Sequence, residues 1–270
     1  MDTTPLAALL GTLVGLIQAL SGAGGGILAV PLLVFGLHLP MQQAAPAGLM
    51  AAGLAAAVGT ALGLREGIVR YRAAALIGVS GMLLAPLGVW LAQRIPNRPL
   101  LAAFGLVLAY TSWRMFRQAH QGPGAPLHGK PPCVINPEVG RLAWTLACAR
   151  ILAASGMLSG VLSGLLGVGG GFVIVPVLTR YTDLGPRSVV ATSLAVIALV
   201  SVGGVTAAAM NGRLEWQIAL PFSAGAVVAL LIGRLWARRL AGARLQQAFA
   251  AVSAVVSALV LGRALGVLGA

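Results

Sequence analysis

The chain has 270 residues, of which 59% are hydrophobic and only 9% charged. Water-exposed globular domains draw on about 25% charged residues, so this composition excludes an ordinary soluble protein. The formal net charge is +13, yet aromatics make up only 5% and the arginines sit between apolar runs, a pattern of membrane-flanking loop charge rather than of nucleic-acid binding.

The N-terminus reads MDTTPLAALLGTLVG, with Asp2 and no Lys or Arg ahead of the apolar run. A cleaved signal peptide wants a positive leader, so none is expected. The first apolar stretch, 6–39, is broken by Gly22-Ala23-Gly24-Gly25-Gly26 and then Pro31. Apolar runs follow near 44–64, 73–93 and 100–116, each close to the length that spans ~30 Å of hydrocarbon. The segment 117–146 is polar and rich in Gly and Pro and reads as a loop. A second broken stretch, 147–179, carries Gly167, Gly169, Gly170, Gly171 and Pro176, and runs near 188–210, 217–236 and 245–262 follow it. Residues 1–116 and 147–270 thus form two transmembrane repeats joined by a central loop at 117–146. Cys133 and Cys148 make no metal spacing and no disulfide framework, so unpaired structural thiols are expected.

The repeats share a register. GAGGGILAVP from Gly22 and GVGGGFVIVP from Gly167 lie 145 residues apart, as do Gly15 and Gly160, Gly67 and Gly212, Gly88 and Gly233, and Phe104 and Phe249. Such an internal duplication is a common plan of secondary transporters.

Arginine placement separates two folding schemes. If each broken stretch crosses the membrane once, Lys and Arg divide ten to eight between the faces. If each goes in and returns on the same side, one face collects fourteen and the other keeps Arg94, Arg98, Arg213 and Arg263. Cations collect on cytoplasmic loops, which favours the second scheme. The expected fold is therefore an all-α polytopic membrane protein with two inverted repeats. Each is a broken, re-entrant Gly-rich helical hairpin followed by three transmembrane helices. The central loop is cytoplasmic, and both termini face away from the cytoplasm.

The Gly-rich block ending in Val-Pro, given twice, together with NGRLEWQIALPFSAGAVVALLIGRLWARRL at 211–240, resembles the sulfite exporter TauE/SafE family of membrane permeases. The resemblance covers nearly the whole chain outside the central loop. It implies export, or sometimes uptake, of small sulfur-containing anions such as sulfite or sulfoacetate. The family's Ala-Thr-Ser-Leu element stands here as Ala191-Thr192-Ser193-Leu194, whereas the first half has Pro46-Ala47-Gly48-Leu49 in the same register. If those hydroxyls meet substrate, the site is lopsided.

An anion at membrane depth needs donors, and the apolar spans hold no mid-helix Lys or Arg. Backbone N–H groups at helix N-termini after the breaks fit the need. The expected substrate-binding set is Gln18, Ser21, Gly22, Gly24, Gly25, Gly26 and Pro31 in the first half. Ser163, Gly167, Gly169, Gly170, Gly171, Pro176, Thr192 and Ser193 complete it in the second. Close helix packing by glycine, and hydroxyls bonded to their own helix, are the competing explanations. No Walker Lys-Ser/Thr follows the glycines, so nucleotide binding is set aside. Three histidines and five acids, scattered through loops, make no catalytic or metal cluster, so neither an enzyme nor a cofactor is expected. Glu66 and Glu215, beside Gly67 and Gly212, are placed to gate or to pair with Arg65 or Arg213, a solvated end charge being the commoner outcome. The partners expected are a small anionic substrate and the lipid bilayer, with no nucleic acid; a homodimer is one arrangement open to so small a transporter. The alternatives are an importer of another small anion and a membrane-embedded protein that transports nothing.

Overall fold

In a computed structural model of the chain, the structure describes residues 3–121, 133, 135–136, 141–142, 145–240 and 243–265. The first set of helices is α1 (Thr3–Ser21), α2 (Ala29–Gly36), α3 (Met41–Arg65), α4 (Tyr71–Arg94) and α5 (Asn97–Gln121). The second is α6 (Leu146–Leu166), α7 (Gly171–Tyr181), α8 (Pro186–Met210), α9 (Trp216–Leu240) and α10 (Ala243–Ala264). A 3-10 helix, Gly22–Leu28, joins α1 to α2. Two short strands, β1 (Ile135–Asn136) and β2 (Arg141–Leu142), pair antiparallel in the central segment, of which 122–132, 134, 137–140 and 143–144 lie outside the described residues. Among the described residues, α3, α4, α6, α8 and the Trp216–Arg234 part of α9 are long and apolar enough to cross a membrane. The all-α polytopic membrane class read from the sequence is the class the structure has.

Local chemistry sets the helix ends. Thr145 caps α6, its hydroxyl accepting the Cys148 N–H at 3.2 Å, and Pro186 opens α8, where a missing N–H costs nothing. The turns after α3 and α8 are copies. Gly67 and Gly212 take φ +69° and +65°. The Glu66, Gly67 and Ile68 N–H groups donate to Leu62, Leu64 and Gly63, and those of Asn211, Gly212 and Arg213 donate to Ala207, Ala209 and Ala208. Every partner is shifted by 145, so the duplication seen in the residues reaches the hydrogen bonds.

Helix directions follow from side-by-side positions. Gly25 lies against Gln18 and Gly36 against Leu10, so α2 runs back along α1. Gly48 then lies against Val30 and Ala29, so α3 reverses again. α4 and α6 run parallel, with Gly156 on Ile77, Gly160 on Gly81 and Gly164 on Ala85. α1 and α9 also run parallel, with Gly11 on Phe222 and Gly15 on Ala226. α3 and α8 run antiparallel, with Gly53 on Ser201, Gly59 on Leu194 and Gly63 on Ala191. At these crossings no side chain fits between the backbones, as in small-residue packing of membrane helices. One end of the bundle carries the start of α1 and the turns 37–40, 95–96 and 211–215. The other, the loop face, carries the turn 66–70, Cys133 and the turn 182–185.

The outward surface is apolar, with Leu83, Leu9 and Val255 among its exposed residues. It is edged by cation–aromatic pairs. Arg94 lies 4.0 Å from the Trp90 ring near the end opposite the loop face, and Arg117 lies 4.6 Å from the Trp113 ring near the loop face. Such residues sit where hydrocarbon meets headgroups.

The expectation of two unpaired thiols is overturned: Cys133 and Cys148 form a disulfide, with Cα atoms 5.2 Å apart. The Cys133 N–H donates to the Tyr181 carbonyl at 3.2 Å, and Cys133 bridges to Thr182. That contact returns the loop cysteine to the start of α6, a proximity that sequence spacing cannot reveal. It also shows that α7, like α2, comes back to the face from which its hairpin set out.

Candidate substrate site where two helix breaks meet

The glycine blocks fold differently but arrive at one place. The first passes through the 3-10 helix, an unusually long run of that kind. The second puts Gly167, Gly169 and Gly170 at φ +74°, +77° and +70°, the left-handed region that other residues enter at a cost of roughly 1–2 kcal/mol. A Cβ added to Gly26 would stand 3.0 Å from the Val168 carbonyl oxygen and 3.1 Å from the Ala52 side chain. A Cβ on Gly169 would stand 2.9 Å from Ile197 and 3.9 Å from Ala52. The two breaks therefore touch, between α3 and α8. Gly25 is pressed on the Gln18 backbone and Gly167 on Ala45, so side chains at either position collide with main chain.

Two polar side chains stand beside the breaks, again 145 apart. Gln18 is buried; its Nε2 donates to the Ala52 carbonyl at 3.2 Å, and its Oε1 has no partner. Ser163 is fully buried with no partner for its Oγ. Its carbonyl accepts the Gly167 N–H at 2.8 Å. A buried polar atom left unpaired costs about 1–3 kcal/mol. Ser159, one turn before Ser163, donates its hydroxyl to the Gly170 carbonyl at 3.2 Å and fixes the second break. Gly170 is the N-cap of α7, and no side chain caps that end. Its first-turn N–H groups therefore have no side-chain acceptor, and the helix dipole adds positive potential there. α2 lacks such a free end, because its N-cap Leu28 is helical and continues the 3-10 turn.

The remaining sequence-predicted residues divide. Gly171 opens α7 and is buried. Pro31, in the first turn of α2, is buried near the break. Pro176 lies inside α7 and lines an outward groove. Ser21, Gly22 and Gly24 fall at the junction of α1 and the 3-10 helix, with their side chains outside the described residues. Thr192 and Ser193 are buried nearer the loop face, about 6 to 8 Å along α8 from Ile197. Thr192 Oγ1 accepts the Arg70 N–H at 3.1 Å, and Ser193 Oγ donates to Val189 at 2.7 Å. Both hydroxyls are engaged within the protein. Sequence reasoning missed Ala52, Val168, Ile197 and Ser159. The 145-residue offset pairs Ala52 with Ile197 and was the available signal.

Glu66 pairs with Arg234, whose Nη2 lies 3.0 Å from its Oε1, a partner the sequence did not suggest. α9 brings Arg234 against the end of α3, where its Nη1 also donates to the Gly59 carbonyl at 3.1 Å. Arg213 sits on the turn at the opposite face. Partly exposed ion pairs are worth about 0–1 kcal/mol. Arg234→Gln, which loses both bonds, is expected to lower the melting temperature in detergent more than Glu66→Gln does. Equal shifts would mean that the Gly59 contact carries no stability.

Among the described residues, no group of three His, Cys, Asp or Glu could hold a metal. The family model described as "Sulfite exporter TauE/SafE" matches residues 7–260. A probable membrane transporter protein of Xylella fastidiosa is 30% identical over 241 residues, covering 87% of this chain and 85% of the relative. A probable membrane transporter protein of Bacillus subtilis is 25% identical over 224 residues, covering 80% and 82%. No solved structure matches. The repeated breaks, the apolar spans and these matches agree: the chain belongs to the sulfite exporter TauE/SafE family and is a multi-pass membrane transporter, not an enzyme.

Proposed function

We propose that the protein exports a small sulfur-containing anion, sulfite or an organosulfonate such as sulfoacetate, across the bacterial inner membrane. The anion is held in transit where the two breaks meet. The contact of Gly26 with Val168 and Ala52 carries this reading, because broken backbone at membrane depth survives where protein or a cavity satisfies it. The donors are the Ser163 hydroxyl, the Gln18 amide and the uncapped N-terminus of α7. No arginine lies among them, so the anion is gripped weakly enough to leave.

The repeats are inverted in this proposal. In support, the equivalent helices α3 and α8 run antiparallel, and α1 packs on α9 as α6 packs on α4. The two hairpins then enter from opposite faces. At the touching breaks there is no room for an added methyl without a neighbour moving. Binding therefore requires the breaks to part, and rocking of one repeat on the other opens the site to each face in turn. The loop face is cytoplasmic, since fourteen of the eighteen cations belong to it. An inside-negative potential then drives a monoanion outward by ~2.3 kcal/mol per 100 mV, enough for export without a coupled ion.

Proteoliposomes loaded with sulfite, sulfoacetate, taurine or sulfate test this under an imposed potential. Efflux of sulfite or sulfoacetate that follows the potential is expected. No flux of either from folded protein would refute the substrate assignment.

A further inference from the structure

Between α5 and the α6–α7 hairpin lies a groove of about 500 Å³. Its walls are apolar, from Leu158 on α6 to Phe172 and Pro176 on α7. Its mouth is polar, formed by Tyr110, Arg114, Arg180 and Tyr181. Phe172 sits beside the break and Arg180 near the loop face, ~12 Å further along α7. That is close to half of the ~30 Å hydrocarbon layer. The groove therefore runs from mid-membrane to one headgroup level.

We infer that this groove is a binding site for an anionic phospholipid, with the phosphate between Arg114 and Arg180 and one acyl chain along the apolar wall. Charge complementarity names the occupant. The ion pair among the described residues is Glu66–Arg234, so no carboxylate there neutralises either groove arginine. The two tyrosines stand at the depth where amphipathic rings settle. The arginines do not belong to the duplicated framework, because the positions 145 residues away are Leu259 and Phe35. Free phosphate would use the mouth alone and leave the apolar wall unpartnered; a phospholipid covers both. Basic pockets between membrane helices capture lipid headgroups by this combination. The site is independent of the transported anion.

The test uses purified full-length protein in neutral detergent, given chain-matched phosphatidylglycerol or phosphatidylcholine, with retained lipid counted by native mass spectrometry. Wild type is expected to retain phosphatidylglycerol about tenfold better. Arg114→Gln with Arg180→Gln removes that preference, a loss of about tenfold, within the roughly 30-fold that ~1 kcal/mol per arginine allows. Arg94→Gln with Arg98→Gln, the same charge change elsewhere, keeps it. Unaltered wild type also answers without any variant: a photoactivatable phosphatidylglycerol is expected to label peptides of α5 and α7 above all. Even labelling over all helices, retention unchanged in the groove variant, displacement of the lipid by inorganic phosphate, or burial of the groove between two copies of the chain would each overturn the assignment.

Discussion

Ser163→Ala is expected to leave the protein folded and to reduce anion transport at subsaturating concentration by roughly 10- to 100-fold, the worth of one hydrogen bond to a charged group. The Ser163 Oγ has no partner within the protein, so removing it breaks nothing that holds the fold. Taking away a buried, unsatisfied hydroxyl leaves stability unchanged or slightly higher. The loss falls on a donor that has work only when an anion is present. Proteoliposome flux and thermal stability in detergent, measured on the same preparation, check both halves. Full flux from the variant removes Ser163 from the site; a fall in stability that matches the fall in flux makes it a packing residue.

Gly170→Ala provides the contrast. Its methyl must occupy left-handed backbone at φ +70° and collide with the Ser159 hydroxyl. Both flux and stability are lost there, and the same holds for Gly25, whose Cβ overlaps the Gln18 main chain. Leucine at these glycines therefore reports on the break and not on the anion. Ser163 separates the two because its hydroxyl has no partner within the protein.

The duplication was legible because it is written in glycine and proline, residues whose backbone consequences are narrow. Gly67 and Gly212 predict turns, and the turns repeat bond for bond. The spans were legible from apolar length alone, to within a few residues at their ends. The meeting of the breaks needed three dimensions. Gly26 touches Val168 across 142 positions of sequence, and no local pattern announces it. Thr192 and Ser193 attract notice as hydroxyls in an apolar run, yet each bonds within the protein. Ser159 passed unnoticed because its role is to hold a carbonyl one break away. Glu66 shows the same limit: helix packing brings it Arg234 from 168 positions away.

In growing cells Cys133 and Cys148 are expected to be recovered as thiols, and to close into the disulfide once the protein is purified without reductant. The proposed orientation puts the cation-rich loop face in the cytoplasm, and the cytosol keeps thiols reduced. Acid quenching of whole cells, followed by alkylation of the denatured protein, counts free cysteines by mass; two adducts are expected. Two cysteines locked together in the cell would instead place the loop face in an oxidising compartment. Both termini would then be cytoplasmic, and the potential would drive anions from the loop face inward. Arg72→Cys and Arg213→Cys, on opposite faces and exposed, test the same orientation with an impermeant maleimide, since only Arg213→Cys should label from outside. The pair also bears on motion. Cys148 stands at the start of α6, and Cys133 is bonded to Tyr181 at the end of α7. Closure fixes both legs of the second hairpin at their base and, for a separation of 15 residues, adds about 3 kcal/mol of stability. If that hairpin must shift for Val168 to part from Gly26, oxidised protein is more stable than reduced protein and slower to transport. Reductant should then lower the melting temperature while raising the flux, and a flux indifferent to reductant would mean that the base of the hairpin stays still while its tip opens.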